Sequence, residues 1–216
     1  LADTNSNSLI FYQNNENLPY LNYLQAIASQ MSQVTDMVHQ DWIATRDAFV
    51  SSSENTATSS LNMLTNDFIY YFEKGLRTNK FGIPAGVFSA NNTRSANVEA
   101  YYNTTQSKVL SLEALVAVEG FFKGKAYNST AVGASLKSYL DYMTENSTIS
   151  TAIITKFTDS EQLINMLDDN FSFQVTSNNN LMVDVFNKLQ EGVVLLKTDM
   201  LSALSISVDY IDADGD

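Results

Sequence analysis

From Met182 to Ala203 the apolar residues Met182, Phe186, Leu189, Val193, Leu196, Met200 and Ala203 recur in alternating steps of four and three. That period places them all on one side of an α-helix, and a helix carrying such a seam has to bury it against other helices. The same spacing appears near the other end of the chain. Leu24, Ile27, Met31, Val34, Val38, Trp42, Thr45 and Phe49 mark a helix of about 30 residues, on the order of 45 Å long, with Pro19 suited to its first turn. Ser51, Ser52, Ser53 and Asn55 end it.

A second helix is expected over residues 58–76, with Leu61, Leu64, Phe68, Tyr71 and Leu76 inward. Phe68, Tyr71 and Phe72 read as core, because aromatics on a periodic face dominate buried area. Leu136, Tyr139, Leu140 and Met143 form a short helix. From Ser147 or Thr148 a longer one carries Ile149, Ile153, Phe157, Ile164, Leu167 and Phe171, before a turn at Asn178, Asn179 and Asn180. No segment alternates as a strand would. The pattern predicts an all-α fold, an antiparallel four-helix bundle.

One long interruption lies between Lys80 and Lys125. Gly82, Pro84 and Gly86 fall within five residues, and Pro84 removes a backbone donor, so the incoming helix is expected to stop there. After it, Ser95 or Asn97 is placed to cap a short helix with Val98, Tyr101 and Tyr102 near one face. Thr105 or Ser107 then starts an apolar helix ending at Gly120 or Gly124.

The order GIPAG, then V-E-A-Y-Y, then S-K-x-x-x-L-x-A-L-x-A-V-x-x-F-F-x-G-K resembles the C-terminal half of the imelysin family, peptidase-like helical proteins named after an insulin-cleaving bacterial envelope protease. The likeness continues through SLKSYLDYM at Ser135–Met143 and VVLLKTDMLSALSISVDYIDADGD at Val193–Asp216, and so covers most of the chain. It implies a two-bundle protein of the bacterial envelope, periplasmic or attached to the outer membrane or surface through a lipid, and linked to iron uptake. Leu1–Asn17 is then expected to be the remnant of a connection from an N-terminal bundle of the same protein, and residues 18–216 the C-terminal bundle domain. The family's G-x-H-x-x-E motif, with its proposed metal or catalytic residues, is absent from this sequence. No catalytic or metal-binding residue is therefore carried over, and binding is favoured over hydrolysis.

In such a protein the site lies between the bundles, and the broken segment Gly82–Ser107 is the natural wall of it, because irregular backbone exposes amides and short polar side chains. Glu99, Tyr101 and Ser107 are the candidate binding residues. The bland alternatives are a capping glutamate, a packed tyrosine and an N-cap serine. Glu119, among Val116, Val118 and Phe122, is either a perturbed carboxylate or a solvent-facing one. Two rival classes stand beside the binding reading: a metallopeptidase whose active residues lie on the N-terminal bundle, and a structural or adhesive helical domain.

Composition narrows the partners. Twelve Lys plus Arg against 24 Asp plus Glu give a net charge of −12, which repels phosphate backbones and argues against nucleic acid. No run approaches the roughly 18–20 apolar residues that cross a bilayer. There is no cysteine, hence no disulfide and no thiolate ligand. His39 is the single histidine, and V-H-Q-D-W around it supplies no second nitrogen ligand, so it reads as a structural residue. Asp209, Asp212, Asp214 and Asp216 resemble the start of a calcium loop, but the glutamate that would complete it does not follow, which favours a solvated acidic stretch. The residues specify no cofactor and leave the ligand or protein partner unknown.

Overall fold

The computed structural model describes residues 13–14, 17–52 and 54–209. The chain divides into two compact units, Leu1–Glu54 and Asn55–Asp216. The expected connection at Leu1–Asn17 and the acidic stretch from Asp212 lie almost wholly outside the described residues.

The first unit holds α1, Leu18–Ser51, a helix of 34 residues with Pro19 in its first turn. The periodic stripe is there, but none of its residues is buried. Met31 is 65% exposed, Val38 62% and Trp42 44%. Trp42 and Phe49 meet edge to face with ring centroids 5.3 Å apart, which shields little of the stripe.

The second unit is mainly helical, with no strand among its described residues, only an isolated antiparallel bridge between Lys125 and Val132. Helix α2 (Ser60–Tyr70) is capped by Ser59, whose side chain accepts from the Asn62 N–H. It runs unbroken into a wide-turn stretch, π1 (Tyr71–Gly82), and a final turn, α3 (Ile83–Ala85). Within it N–H groups reach back five residues instead of four, as where Ile83 donates to the Thr78 carbonyl. The wider turn changes which side chains face inward. Phe68, Ile69, Phe72 and Leu76 are buried as an amphipathic helix requires, but so are Glu73, Arg77, Thr78 and Lys80. Leu64 and Tyr71, expected inside, are 36% and 46% exposed. The helix also outlasts its expected end at Leu76 and stops only at Gly86, whose φ of 79° suits a residue without Cβ.

The chain continues through a 3₁₀ turn at Ser95–Asn97, α4 (Gln106–Lys123), α5 (Leu136–Thr144), α6 (Thr148–Met166), α7 (Phe171–Ser177), α8 (Asn179–Val194), a second wide-turn stretch π2 (Leu195–Met200) and α9 (Leu201–Leu204). Three expectations are corrected. The short helix carrying Tyr101 and Tyr102 is absent, because the chain leaves the 3₁₀ turn with Val98 extended and Ala100 at a φ of 54°. The helix from Ser147 is interrupted at Leu167, which is extended, before Asn170 caps α7 by accepting from the Phe173 N–H. Ser107 is not an N-cap; of the two starts expected for α4, Thr105 holds that position.

Helix α8 packs along α6 and π1, α4 lies against α6 and π1, and α5 contacts both α4 and α6. The seam from Met182 is the spine of this core: Met182, Leu189, Leu196 and Met200 are fully buried. Each such side chain contributes roughly 1.5–3 kcal/mol by leaving water. Phe157 of α6 meets Phe72 of π1 at 5.4 Å and Phe122 of α4 at 5.9 Å, both edge to face, which ties three helices to one ring.

Candidate functional site

Glu73, Arg77 and Lys80 follow one another along π1 and all point into the protein. The Glu73 carboxylate accepts from Arg77 Nη2 at 3.4 Å and from Lys197 Nζ of π2 at 3.1 Å, so one carboxylate joins the two wide-turn stretches. The Arg77 guanidinium also lies 4.6 Å from the centroid of the Phe186 ring on α8, a cation–π contact. Glu73 and Arg77 are each about 1% exposed. A cluster so sealed meets no ligand; it fixes how π1 and π2 lie against each other.

Three residues further on, Lys80 carries this order to the surface. Its Nζ forms an ion pair with the carboxylate of Glu99, whose side chain is 43% exposed. Ser107, at the start of α4, donates from Oγ to the Glu99 carbonyl at 2.5 Å. Glu99 is thus held by side chain and by backbone, from two different elements. Ser107 meets the backbone of Glu99, and Lys80 its exposed carboxylate, so that both contacts hold the segment in place. Tyr101, two residues beyond Glu99, is 40% exposed and packs edge to face on Tyr102 at 5.1 Å.

The segment pinned in this way, residues 87–105, is strained. Ala90, Asn91 and Ala100 have φ values of 50°, 64° and 54°, a region that side chains with Cβ seldom occupy. Such conformations persist where surrounding bonds over-determine them and tend to cluster at working surfaces. The segment presents Phe88, Tyr101 and Tyr102 at 42%, 40% and 74% exposure.

The turn that precedes it does not line an open cleft. A Cβ on Gly82 would come within 2.6 Å of the Phe88 ring and 2.8 Å of the Phe186 ring, so aromatic side chains fill the space above it. The carbonyls of the turn are also consumed. Gly82 accepts from Val87, Ile83 from Gly86, Pro84 from Arg94 at 2.8 Å, and Gly86 from Ser89 and Asn91. The Ala85 carbonyl accepts from Asn179 Nδ2 at 2.9 Å. Backbone groups that close on one another offer nothing to a ligand, which moves the candidate surface from the turn itself to the segment after it.

Two grooves lie elsewhere on this unit. One, about 280 Å³, runs between α2–π1 and α4 and is lined by Leu64, Asp67, Phe68, Tyr71, Ala117 and Phe121 among others, almost all apolar. The second, about 460 Å³, passes Phe121 toward the end of α4, with Glu113, Lys125 and Tyr127 on its walls. Three residues of the first, Leu64, Phe68 and Tyr71, are ones that helical spacing assigns to the core; the inward face of α2 runs instead through Asn62, Thr65, Asn66 and Ile69, which leaves Leu64 outside. Glu119, on α4, is paired with Lys123 one turn on. His39 stands exposed on α1. Among the described residues no three His, Asp or Glu side chains converge on a point where a metal ion would sit. No described helix is long and apolar enough to cross a membrane.

Comparisons with protein-family profiles, curated proteins and solved structures returned no match.

Proposed function

We propose that this chain is the binding portion of an imelysin-like protein of the bacterial envelope, periplasmic or surface-anchored through a lipid, and that it serves iron uptake without hydrolysing peptides. The observation that carries the reading is the strained segment 87–105, exposed at Phe88, Tyr101 and Tyr102 and held from beneath by Lys80, Glu99 and Ser107. A rigid helical body presenting an ordered irregular loop is how binding surfaces are built. The finer fold assignment, an antiparallel four-helix bundle of the imelysin kind, draws support from four long rods, α2–π1, α4, α6 and α8–π2, sharing one core. The partner in this reading is a second helical bundle. The uncovered stripe of α1 and the apolar groove between α2–π1 and α4 are the kind of surface such a bundle covers.

The closed GIPAG turn favours a second reading, a structural or adhesive helical domain, because the expected cleft is filled by the protein's own Phe88 and Phe186.

Fractionation of the source cells, grown with and without a ferric salt, tests the proposal. The protein is expected in the envelope fraction, at higher abundance under iron starvation, and inert toward casein with or without added divalent metal. Recovery from the cytosol at an abundance insensitive to iron contradicts it. Envelope location without iron dependence points to the adhesive reading, and metal-dependent casein cleavage to a metallopeptidase.

A further inference from the structure

After α9 the chain turns at left-handed Ser205, where the Ile206 N–H still donates to the Leu201 carbonyl at 2.9 Å, and runs on as a segment without helix, Ile206–Asp209, bonded to the start of the second unit. It is fastened there by asparagines and by one apolar anchor. Asn55 Nδ2 donates to the Ser205 carbonyl at 3.2 Å. Asn66 Nδ2 donates to the Ser207 carbonyl at 3.1 Å, and Asn66 Oδ1 accepts from the Asp209 N–H at 3.3 Å. Asn62, one turn before Asn66 on α2, donates to Asn55 Oδ1 at 3.3 Å and so orients the first asparagine. The contacted backbone groups belong to alternate residues, 205, 207 and 209, as on one edge of a β-strand. Between them Ile206 points inward, 6% exposed, while Val208 is 43% exposed. Asn62 and Asn66 are themselves 5% and 2% exposed. Ser205, where the chain turns out of α9, has a φ of 55°, a strained conformation that the Asn55 bond helps to hold.

A side-chain amide that gives its N–H to one carbonyl and takes the N–H two residues on reads peptide backbone, and backbone carries no sequence. Selectivity then rests on the place in the apolar core that takes the Ile206 side chain between two serines. We propose that Asn55, Asn62 and Asn66 form a recognition site for an extended peptide strand, occupied in cis by Ser205–Asp209 and able to take an equivalent strand in trans when the cis strand is released. The ligand class is an extended small–aliphatic–small segment with at least two free backbone groups on one edge. The site is separate from the segment 87–105, and its fate is independent of the iron-uptake reading.

The test uses the full chain and a fluorescein-labelled hexapeptide of residues 204–209, Leu-Ser-Ile-Ser-Val-Asp, followed by anisotropy. Ile206→Asp puts a charge in the apolar core and releases the cis strand while leaving the asparagines in place. Because a site occupied in cis binds in proportion to its open fraction, this variant is expected to bind the peptide at least about tenfold more tightly than the unaltered chain. Adding Asn66→Ala to it is expected to abolish the gain, and a peptide with Asp in place of Ile is expected not to bind. Equal affinity for the unaltered chain and Ile206→Asp, or undiminished affinity after Asn66→Ala, overturns the proposal. If far-UV circular dichroism shows Ile206→Asp unfolded, hydrogen exchange on Asn66→Ala alone decides. The Asp209 amide is then expected to lose its protection, and an unchanged rate overturns the proposal.

Discussion

At the residue scale the decisive group is Glu73, a buried carboxylate that accepts from both Arg77 and Lys197. Removing one member of a buried ionic set leaves the others desolvated without it, which costs far more than the set contributes over an apolar equivalent. Glu73→Ala is expected to lower stability by about 3–5 kcal/mol in urea unfolding followed by circular dichroism. A loss below about 1 kcal/mol, the range of exposed pairs, would show that water reaches the cluster. Sequence spacing located Phe68, Phe72 and Leu76 in the core but not Glu73, Arg77 or Lys80. A carboxylate four residues before a guanidinium ordinarily reads as an exposed i, i+4 pair on a solvated helix face, and only burial distinguishes the two cases. Of the candidate binding residues, the sequence brought out Glu99 and Ser107 as polar groups near a break. Their partners, Lys80 and each other, became visible only once the chain was folded.

At the element scale, helices written in 3.6-residue steps were legible and wide turns were not. The seam from Met182 to Met200 is buried as its spacing requires, although the last part lies in π2. Ahead of the break the inward set differs from the expected one: polar Asn62, Thr65, Asn66, Glu73 and Arg77 are buried, while Leu64 and Tyr71 emerge and line a groove. Periodicity carries no mark of this, because a wide turn is set by what packs around it. The junction of α5 and α6 offers an acid-sensitive contact. Asp141 accepts from Lys137 and from Ser150, the latter fully buried at the start of α6. Burial alone would raise its pKa, but the hydrogen bonds from Lys137 and Ser150 and the Lys137 charge outweigh it and hold the carboxyl below its ordinary value. Glu191 is likewise held low by hydrogen bonds from Lys156 and Lys188 against the cost of burial. A carboxyl depressed in the folded state stabilises fully above its unfolded pKa, and that stability fades as pH falls through the folded value. Stability is therefore expected to be level from pH 7 to 5 and to decline below about pH 4. Asp141→Asn is expected to lose about 1 kcal/mol at pH 7 and to show a shallower decline in acid. An acid slope unchanged by the substitution would contradict the assignment.

At the scale of the whole molecule, the all-helical body was legible because every long stretch repeats at helical spacing and nothing alternates. The covering of its faces was not legible, since a helix stripe looks the same in sequence whether or not a neighbour is present. Taken by itself, α1 has nothing among the described residues of its own unit to cover the stripe of Met31, Val34, Val38 and Trp42. On the second unit Leu64, Tyr71 and Phe121 stand open beside one another. Apolar surface in such amounts is normally covered in the working protein. Whether further helices cover these faces is measured directly by native mass spectrometry of the protein taken from its own cells. The expected species is heavier than the 23.9 kDa of this chain, with an additional helical bundle shielding the stripe. A monomer of that mass, failing to enhance the fluorescence of an apolar dye, would contradict it.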